Sequence, residues 1–314
     1  MMIRVKNKQR LGDWQHIRRE MRKKRALYAF LVLPILGLIF FYYAPMCGVV
    51  IAFKDFRIAD GIWNSPWNNF SHFKLLFHDV LFQRAFWNTL KISILRILIC
   101  FPAPIIFAIL LNEIRSRKCQ RVVQTVSYVP HFMSWVIVAG FVYQMLSPQV
   151  GVVNAVLTKL GFEPIHFLSR ADMFVPILLV AMIWQSIGWS AIIYLASMSS
   201  ISPELYEAAD LDGANRFQKA LNITVPALIP VITIQLILTI GNIMKGNFDP
   251  IYNLYNGMTM QTADVIDTFV FRQGIMGARY DYAAAVGLFQ NVIGFSVVLI
   301  TNKVIKHFNE YGIF

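Results

Sequence analysis

Acidic side chains are scarce in this sequence and missing from its long apolar runs. Of 314 residues, 17 are Asp or Glu. None falls in Leu27–Met46, Asn88–Leu111, Val122–Leu146, Phe174–Met198, Pro226–Met244 or Tyr282–Asn302. A carboxylate inside a bilayer is costly and kept for function, so the empty runs argue against a proton relay. They argue less strongly against a sodium site made of carbonyls. No G-x-x-x-x-G-K-[ST] phosphate loop is present either, which excludes a nucleotide site of that kind. A transporter with neither site needs an external motor. The 3 cysteines, Cys47, Cys100 and Cys119, have no metal-ligand spacing and read as structural. The 6 histidines are scattered, and none pairs with acids at ligand spacing. No acid pair or His/Asp arrangement supplies a catalytic cluster, so neither catalytic nor metal-binding residues are expected.

What the chain has in abundance is apolar surface: 57% of residues are hydrophobic, 15% are charged, and the mean hydropathy is +0.53. A soluble domain has no use for so much, and an apolar run of about 20 residues can cross the hydrocarbon core as a helix. The fold class that follows is all-α, a polytopic membrane protein with six transmembrane helices. The formal charge of +12 is distributed unevenly. Ten Lys and Arg residues precede Leu27, and four more (Arg115, Arg117, Lys118, Arg121) sit in the short loop after the second run. With the N-terminus inside, the inner segments hold 18 basic residues and the longer outer ones nine. That is the positive-inside bias, with both termini cytoplasmic. The basic region is too long for a cleaved signal peptide, and no small-x-small site follows the apolar stretch. Trp14–Arg25 reads as a basic helix lying on anionic lipid, which explains the charge without nucleic acid.

The chain thus divides into a basic cytoplasmic tail (1–26), a transmembrane domain (27–302) and a cytoplasmic C-terminal tail (303–314). The outside loop Cys47–Trp87 is rich in Trp and turn residues, suiting the membrane interface. In Pro148–Met173 the apolar positions Val152, Val153, Val156, Leu157 and Leu160 share one helix face, closed by Gly161. Pro102, Pro104, Pro130 and Pro230 lie in or near the runs, where they set packing geometry or serve as hinges.

The polar gap 200–225 is the most informative stretch. Ser202 is placed to cap a helix that begins at Pro203, with Glu204 near its positive end. The helix runs to about Asp212, where Gly213 lets the chain turn, and a second short helix, Arg216–Leu221, returns it to Pro226. Leu205, Ala208, Ala209 and Asp212 share a face, and two alanines there let the helix enter a narrow cleft. Glu207 adds a charge for basic partner groups.

Glu207, Ala208, Ala209, Gly213, Ile223 and Pro226 stand at the offsets of the EAA loop of bacterial ABC importer permeases, which this stretch resembles. Val225 departs mildly, standing where that pattern has Leu. The segments SYVPHFMSWVIVAGF, NFDPIYNLYN, ADVIDTFVFRQGI and YAAAVGLFQNVIGF are similar to carbohydrate-uptake permeases related to the maltose importer. Within that group they resemble the branch importing oligosaccharides from complex polysaccharides. The resemblance covers most of the chain from Leu27 onward. It implies a subunit in the cytoplasmic membrane that binds no cofactor itself and catalyses nothing. Its implied partners are a second, related permease, two ATPase subunits carrying ATP and Mg2+, and an extracytoplasmic solute-binding protein. It assigns coupling to the ATPase to Glu207, Ala208, Ala209, Asp210, Asp212 and Gly213.

Sugars are held by aromatic faces and by amides or hydroxyls. The pathway candidates are Arg96, Tyr143, Trp184, Gln185, Trp189, Asn242, Gln290 and Asn291; Gln185 and Trp189 share a helix face. Lys91 lies near the outer end of its run, whereas Arg96 is deeper and would suit an acidic sugar if it faces a cavity. Asp249, Tyr252, Tyr255 and Asn256 are candidates for contact with the binding protein. The alternatives are a permease for an amino acid or polyamine, or, from another class, an ion-driven carrier or a membrane enzyme.

Overall fold

The computed structural model describes residues 23–308 apart from Gly246, with side chains as far as Val304. The expected basic helix Trp14–Arg25 falls outside these residues except for its last three positions. All regular structure among the described residues is helical, apart from one isolated bridge between Lys54 and Trp67.

Of the described residues, 23–69 form one compact unit. Its helix α1, Arg25–Phe53, is 29 residues long and outruns the expected Leu27–Met46 by adding 3-10 turns. Beyond it, the ammonium of Lys54 donates to the carbonyls of Ile62 (2.8 Å) and Trp63 (2.7 Å) and lies 5.2 Å from the Trp67 ring centre. These bonds close the 54–67 loop and leave Trp63 and Trp67 exposed.

The described residues from 70 to 308 form the second unit. Helix α2 spans Val80–Asn112, beginning earlier than expected because Asp79 caps it, its carboxylate accepting from the Leu81 and Phe82 amides. Helices α3 (Arg117–Phe132) and α4 (Trp135–Leu146) replace the single third span that the sequence suggests. They are bent 106° apart, because Met133 and Ser134 take extended backbone angles just after Pro130. At 12 residues, α4 extends only about 18 Å, well short of the hydrocarbon thickness. A short helix α5 forms at Val152–Lys159, and Gly161 follows it at φ +88°. Helix α6, Phe174–Met198, matches its apolar run.

Helix α7 is Pro203–Leu211. Helix α8 then runs unbroken over Arg216–Gly241, so the expected separate helix Arg216–Leu221 is instead the first turns of the fifth span. The chain closes with α9 (Phe248–Leu254), α10 (Ile266–Val270) and α11 (Tyr280–Phe308). Among the described residues, five helices are long and apolar enough to cross a membrane, or six if the bent α3–α4 pair is one span.

Three of the four π-turns among the described residues, Ile39–Tyr43, Arg96–Cys100 and Ala220–Thr224, each stop two residues before a proline, Pro45, Pro102 and Pro226, while Phe271–Met276 has none after it. The proline ring collides with the carbonyl four residues back, and widening that turn removes the clash. In α2 the widened turn appears as the Phe101 amide donating to the Arg96 carbonyl at 3.1 Å.

Helix α6 is the hub of this unit and packs against α2, α3 and α8. Its buried face (Leu178, Leu179, Ala181, Met182) joins Ile92, Ile251 and Val265 in one cluster. Farther along, Tyr194 and Met198 join Ala108 and Leu228 in another. A third cluster brings α2, α10 and α11 together around Phe82, Phe269 and Tyr282. The outer segment between α9 and α11 is pinned by Asp264, whose carboxylate accepts from Thr268 and from both Arg272 amino groups, at 2.9 and 2.5 Å. That hydrogen bonding raises the pKa of the Arg272 guanidinium, so it stays charged.

Candidate functional site

Two adjoining cavities of about 350 and 420 Å³ lie between α2, α6, α8 and α9, sharing Arg96, Cys100 and Ser186 in their walls. Arg96 sits at the start of the π-turn of α2. Its guanidinium donates to the Asn247 side-chain oxygen (2.8 Å) and to the Asn242 carbonyl (3.3 Å). The first cavity adds Trp135, Gln185 and Asp249; the second adds Trp189, Ser190, Gln235 and Thr239. Such walls mix aromatic faces with hydrogen-bonding groups, neutral ones together with the charges of Arg96 and Asp249, the chemistry that holds polyhydroxylated molecules.

Gln185 and Trp189 both meet His131, beside the α3–α4 break. The Gln185 amide donates to the His131 carbonyl (3.3 Å), while Trp189 stacks on the His131 ring with centroids 4.6 Å apart. Trp189 remains 45% exposed, which leaves indole surface free for a ligand.

Of the eight pathway candidates, the cavities bring together Arg96, Gln185 and Trp189. The others sit elsewhere. Tyr143 donates its hydroxyl to the Leu254 carbonyl, tying α4 to α9. Trp184 points into an apolar groove with Phe141. Asn242 turns its amide back to Leu238, and Asn291 does the same to Gly287. Gln290 is buried, donating to Asp267 and to the Met244 carbonyl.

Among the expected binding-protein contacts, Asp249 lies in the first cavity wall with Arg96. Tyr252 stacks on Phe248 at 5.0 Å, with Tyr255 beside it at 6.0 Å. Asn256 closes its own turn: its oxygen accepts from Met258 and Thr259, and its amide donates to Leu168. The sequence reading passed over Ser186, Ser190, Gln235 and Thr239. Two polar pairs four apart within otherwise apolar helices were the available signal.

Away from the cavities, α7 and the start of α8 form a hairpin. Ser202 stands at the N-cap position of α7, but its hydroxyl makes no cap bond. Past Leu211, the Gly213 amide donates to the Asp210 carbonyl and the Ala214 amide to the Ala209 carbonyl, with Gly213 at φ +76°. This Schellman turn stops α7 and reverses the chain. Asn215 and Gln218 form a capping box that starts α8, a signal legible as N-x-x-Q and not used in the sequence reading. Lys219 bridges back to Asp210 at 2.6 Å, and the Tyr206 and Thr224 hydroxyls pair at 2.8 Å. Arg216 reaches Glu113, in the loop after α2, at 3.7 Å. The hairpin's outer surface carries Glu207, Ala208 and Asp212, together with Leu205, Phe217 (71% exposed) and Leu211 (91% exposed). Leucine so exposed on a hairpin fixed at both ends by hydrogen bonds marks a surface built to be covered by a partner.

Residues 100–308 match the family described as binding-protein-dependent transport system inner membrane component. The chain belongs to that family. It is a multi-pass membrane permease, a transport subunit and not an enzyme. Protein LplB of Bacillus subtilis (strain 168) is 40% identical over 294 residues, covering 94% of this chain and 92% of that protein. The polygalacturonan/rhamnogalacturonan transport system permease protein YteP of the same organism is 38% identical over 292 residues, covering 93% and 91%. Among solved structures, the permease is similar to a chain of a bacterial ABC transporter involved in the import of the acidic polysaccharide alginate. The TM-score is 0.87 at 40% identity, with 93% of this chain and 99% of that one covered. The same likeness holds for that transporter bound to its alginate pentasaccharide-loaded periplasmic protein, again at a TM-score of 0.87.

Proposed function

We propose that this permease is half of the membrane pathway of an ATP-driven importer of oligosaccharides released from polysaccharides, acidic ones among them. A second, related permease supplies the other half. Two ATPase subunits holding ATP and Mg2+ work from the cytoplasm, and a solute-binding protein delivers the sugar from outside. Both termini are cytoplasmic in this reading, as is the α7–α8 hairpin. The observation that carries it is the hairpin: a rigid reversal presenting Glu207, Ala208, Ala209, Asp210, Asp212 and Gly213, with Leu211 almost fully exposed. Such a surface transmits force when a partner grips it; it has no chemistry of its own. The aromatic and amide-lined cavities support a sugar as cargo, with Arg96, Gln185 and Trp189 on the pathway. Asp249, Tyr252, Tyr255 and Asn256 belong to the outer segment offered to the binding protein.

The test is ATPase activity of the four-subunit complex in proteoliposomes, with and without binding protein loaded with oligosaccharide. Glu207→Arg and Leu211→Asp are expected to lower sugar-stimulated hydrolysis about tenfold or more, the scale of a lost interface hot spot. Full stimulation in both variants would remove the hairpin from coupling, and a complex indifferent to every oligosaccharide would remove the sugar.

A further inference from the structure

We propose that Arg96 is the carboxylate-recognition residue of this pathway, the group that distinguishes a uronic acid unit from a neutral hexose. The proposal rests on the oligosaccharide reading above. It begins from an imbalance of charge. Arg96 lies 16 residues into a helix otherwise free of acids, and among the described residues no carboxylate oxygen approaches it within 4.0 Å. Both groups that hold it, the Asn247 side-chain oxygen and the Asn242 carbonyl, are neutral. Asp267 attracts Arg96 only from beyond contact distance and Asp249 shares the first cavity wall, so no carboxylate is hydrogen-bonded to this cation; a charge so placed in an apolar helix is costly and calls for a function.

The geometry supplies one. A guanidinium carries five N–H donors in a planar fork that matches a carboxylate, and two of the five are engaged here. Arg96 stands where the two cavities meet, with Trp189 half open in one and Gln185 in the other. Asn247 is itself held, its amide donating to the Ser93 hydroxyl at 3.3 Å, so its oxygen is fixed toward Arg96. That oxygen stands in for a carboxylate: it orients the fork while the cavity is empty and, being neutral, yields to a charged ligand. Asp249 in the first cavity wall completes the arrangement. Its charge turns a substrate carboxylate away and accepts sugar hydroxyls, so an acidic sugar enters with its carboxylate toward Arg96.

The test compares uptake of tetragalacturonate and tetramannuronate with uptake of their methyl esters, using the complete complex with its binding protein in proteoliposomes. Arg96→Gln is expected to lower uptake of the acids about 10- to 100-fold, the scale of one lost charged hydrogen-bond pair, and uptake of the esters less than about threefold. Arg96→Lys, which keeps the charge without the fork, recovers part of the acid uptake. Asn247→Asp keeps Arg96 but places a carboxylate on it, and should depress acid uptake selectively as well. This second variant carries the test if Arg96→Gln fails to assemble. Equal loss for acids and esters, or no loss for either, overturns the proposal and leaves the oligosaccharide reading standing. A wild-type complex that takes up neither acids nor esters sinks that reading, and the proposal with it.

Discussion

Replacing Gly188 by alanine tests whether the crossing of α3 and α6 sets the cavity wall. A Cβ at Gly188 would stand 2.2 Å from the Ser127 carbonyl oxygen, 2.5 Å from its carbon and 2.8 Å from its Cβ. The first two are backbone atoms and cannot swing aside. Ordinary contact begins at 3.4 Å, so the helices must part by about 1.2 Å (3.4 − 2.2). Overpacking of this kind costs about 1–3 kcal/mol, which corresponds to roughly 2–10 °C in melting temperature for a domain of this size. Function should suffer as well, because Gly188 lies between Gln185 and Trp189. The Gln185 bond to His131 is already 3.3 Å long, and the Trp189–His131 stack at 4.6 Å has little room to open. Thermal unfolding of the detergent-solubilised complex, read as loss of the folded complex on size-exclusion chromatography after heating, measures the first effect; oligosaccharide uptake measures the second. Gly140→Ala is the control, since a Cβ there meets nothing within 4 Å. If Gly188→Ala melts and transports like wild type, or no worse than Gly140→Ala, the crossing does not position the cavity.

Other changes probe the supports around it. Asn154 is buried, and its side chain serves the Leu146, Ser147 and Ile165 carbonyls and the Ile165 amide. Asn154→Ala should therefore destabilise the α5 segment by about 2–4 kcal/mol, seen as faster tryptic cleavage at the exposed Lys159. Unchanged cleavage would count against it. Asp264→Asn breaks a pair in which Asp264 is almost fully buried and Arg272 keeps 23% exposure, so about 3 kcal/mol is expected at most, measured as a lower melting temperature. A melting curve matching wild type would refute this. Gly213→Ala meets open space but forces a Cβ into φ +76°, costing about 1 kcal/mol in the Schellman turn. It should weaken sugar-stimulated ATP hydrolysis without loss of folded complex, and full coupling would show that the turn is not strained.

The helices were legible because long apolar runs admit few other structures, and the hairpin because caps and turns are local. Pro203 and Gly213 fell where φ and chain reversal require them, whereas the expected Ser202 cap bond did not form. The break between α3 and α4 was not legible. Val122–Leu146 is apolar enough to read as one span, and Pro130 alone does not separate a gentle kink from a 106° bend. Only packing decides that: the Gly188 approach to Ser127 holds α3 against α6, while Tyr143 and Leu254 hold α4 against α9.

The cavity was half legible for a related reason. Spans such as α6 are apolar on every side, so periodicity does not say which face meets a neighbour and which meets a void. Gln185 and Gln290 look alike in sequence, each an amide within an apolar helix. One lines the cavity beside the helix break, and the other is consumed by Asp267 and Met244. What separates them is whether a complementary group from another element arrives. Arg96 was the readable exception because charge, unlike an amide, is too costly to place in an apolar helix by default. Its exact setting still depended on Pro102 six residues on, which widens the turn that begins at Arg96. In α2 the proline and the charge thus act together, Pro102 widening the turn from which Arg96 reaches the cavities; the same widening before Pro45 and Pro226, without a polar residue at its start, opens onto neither of them.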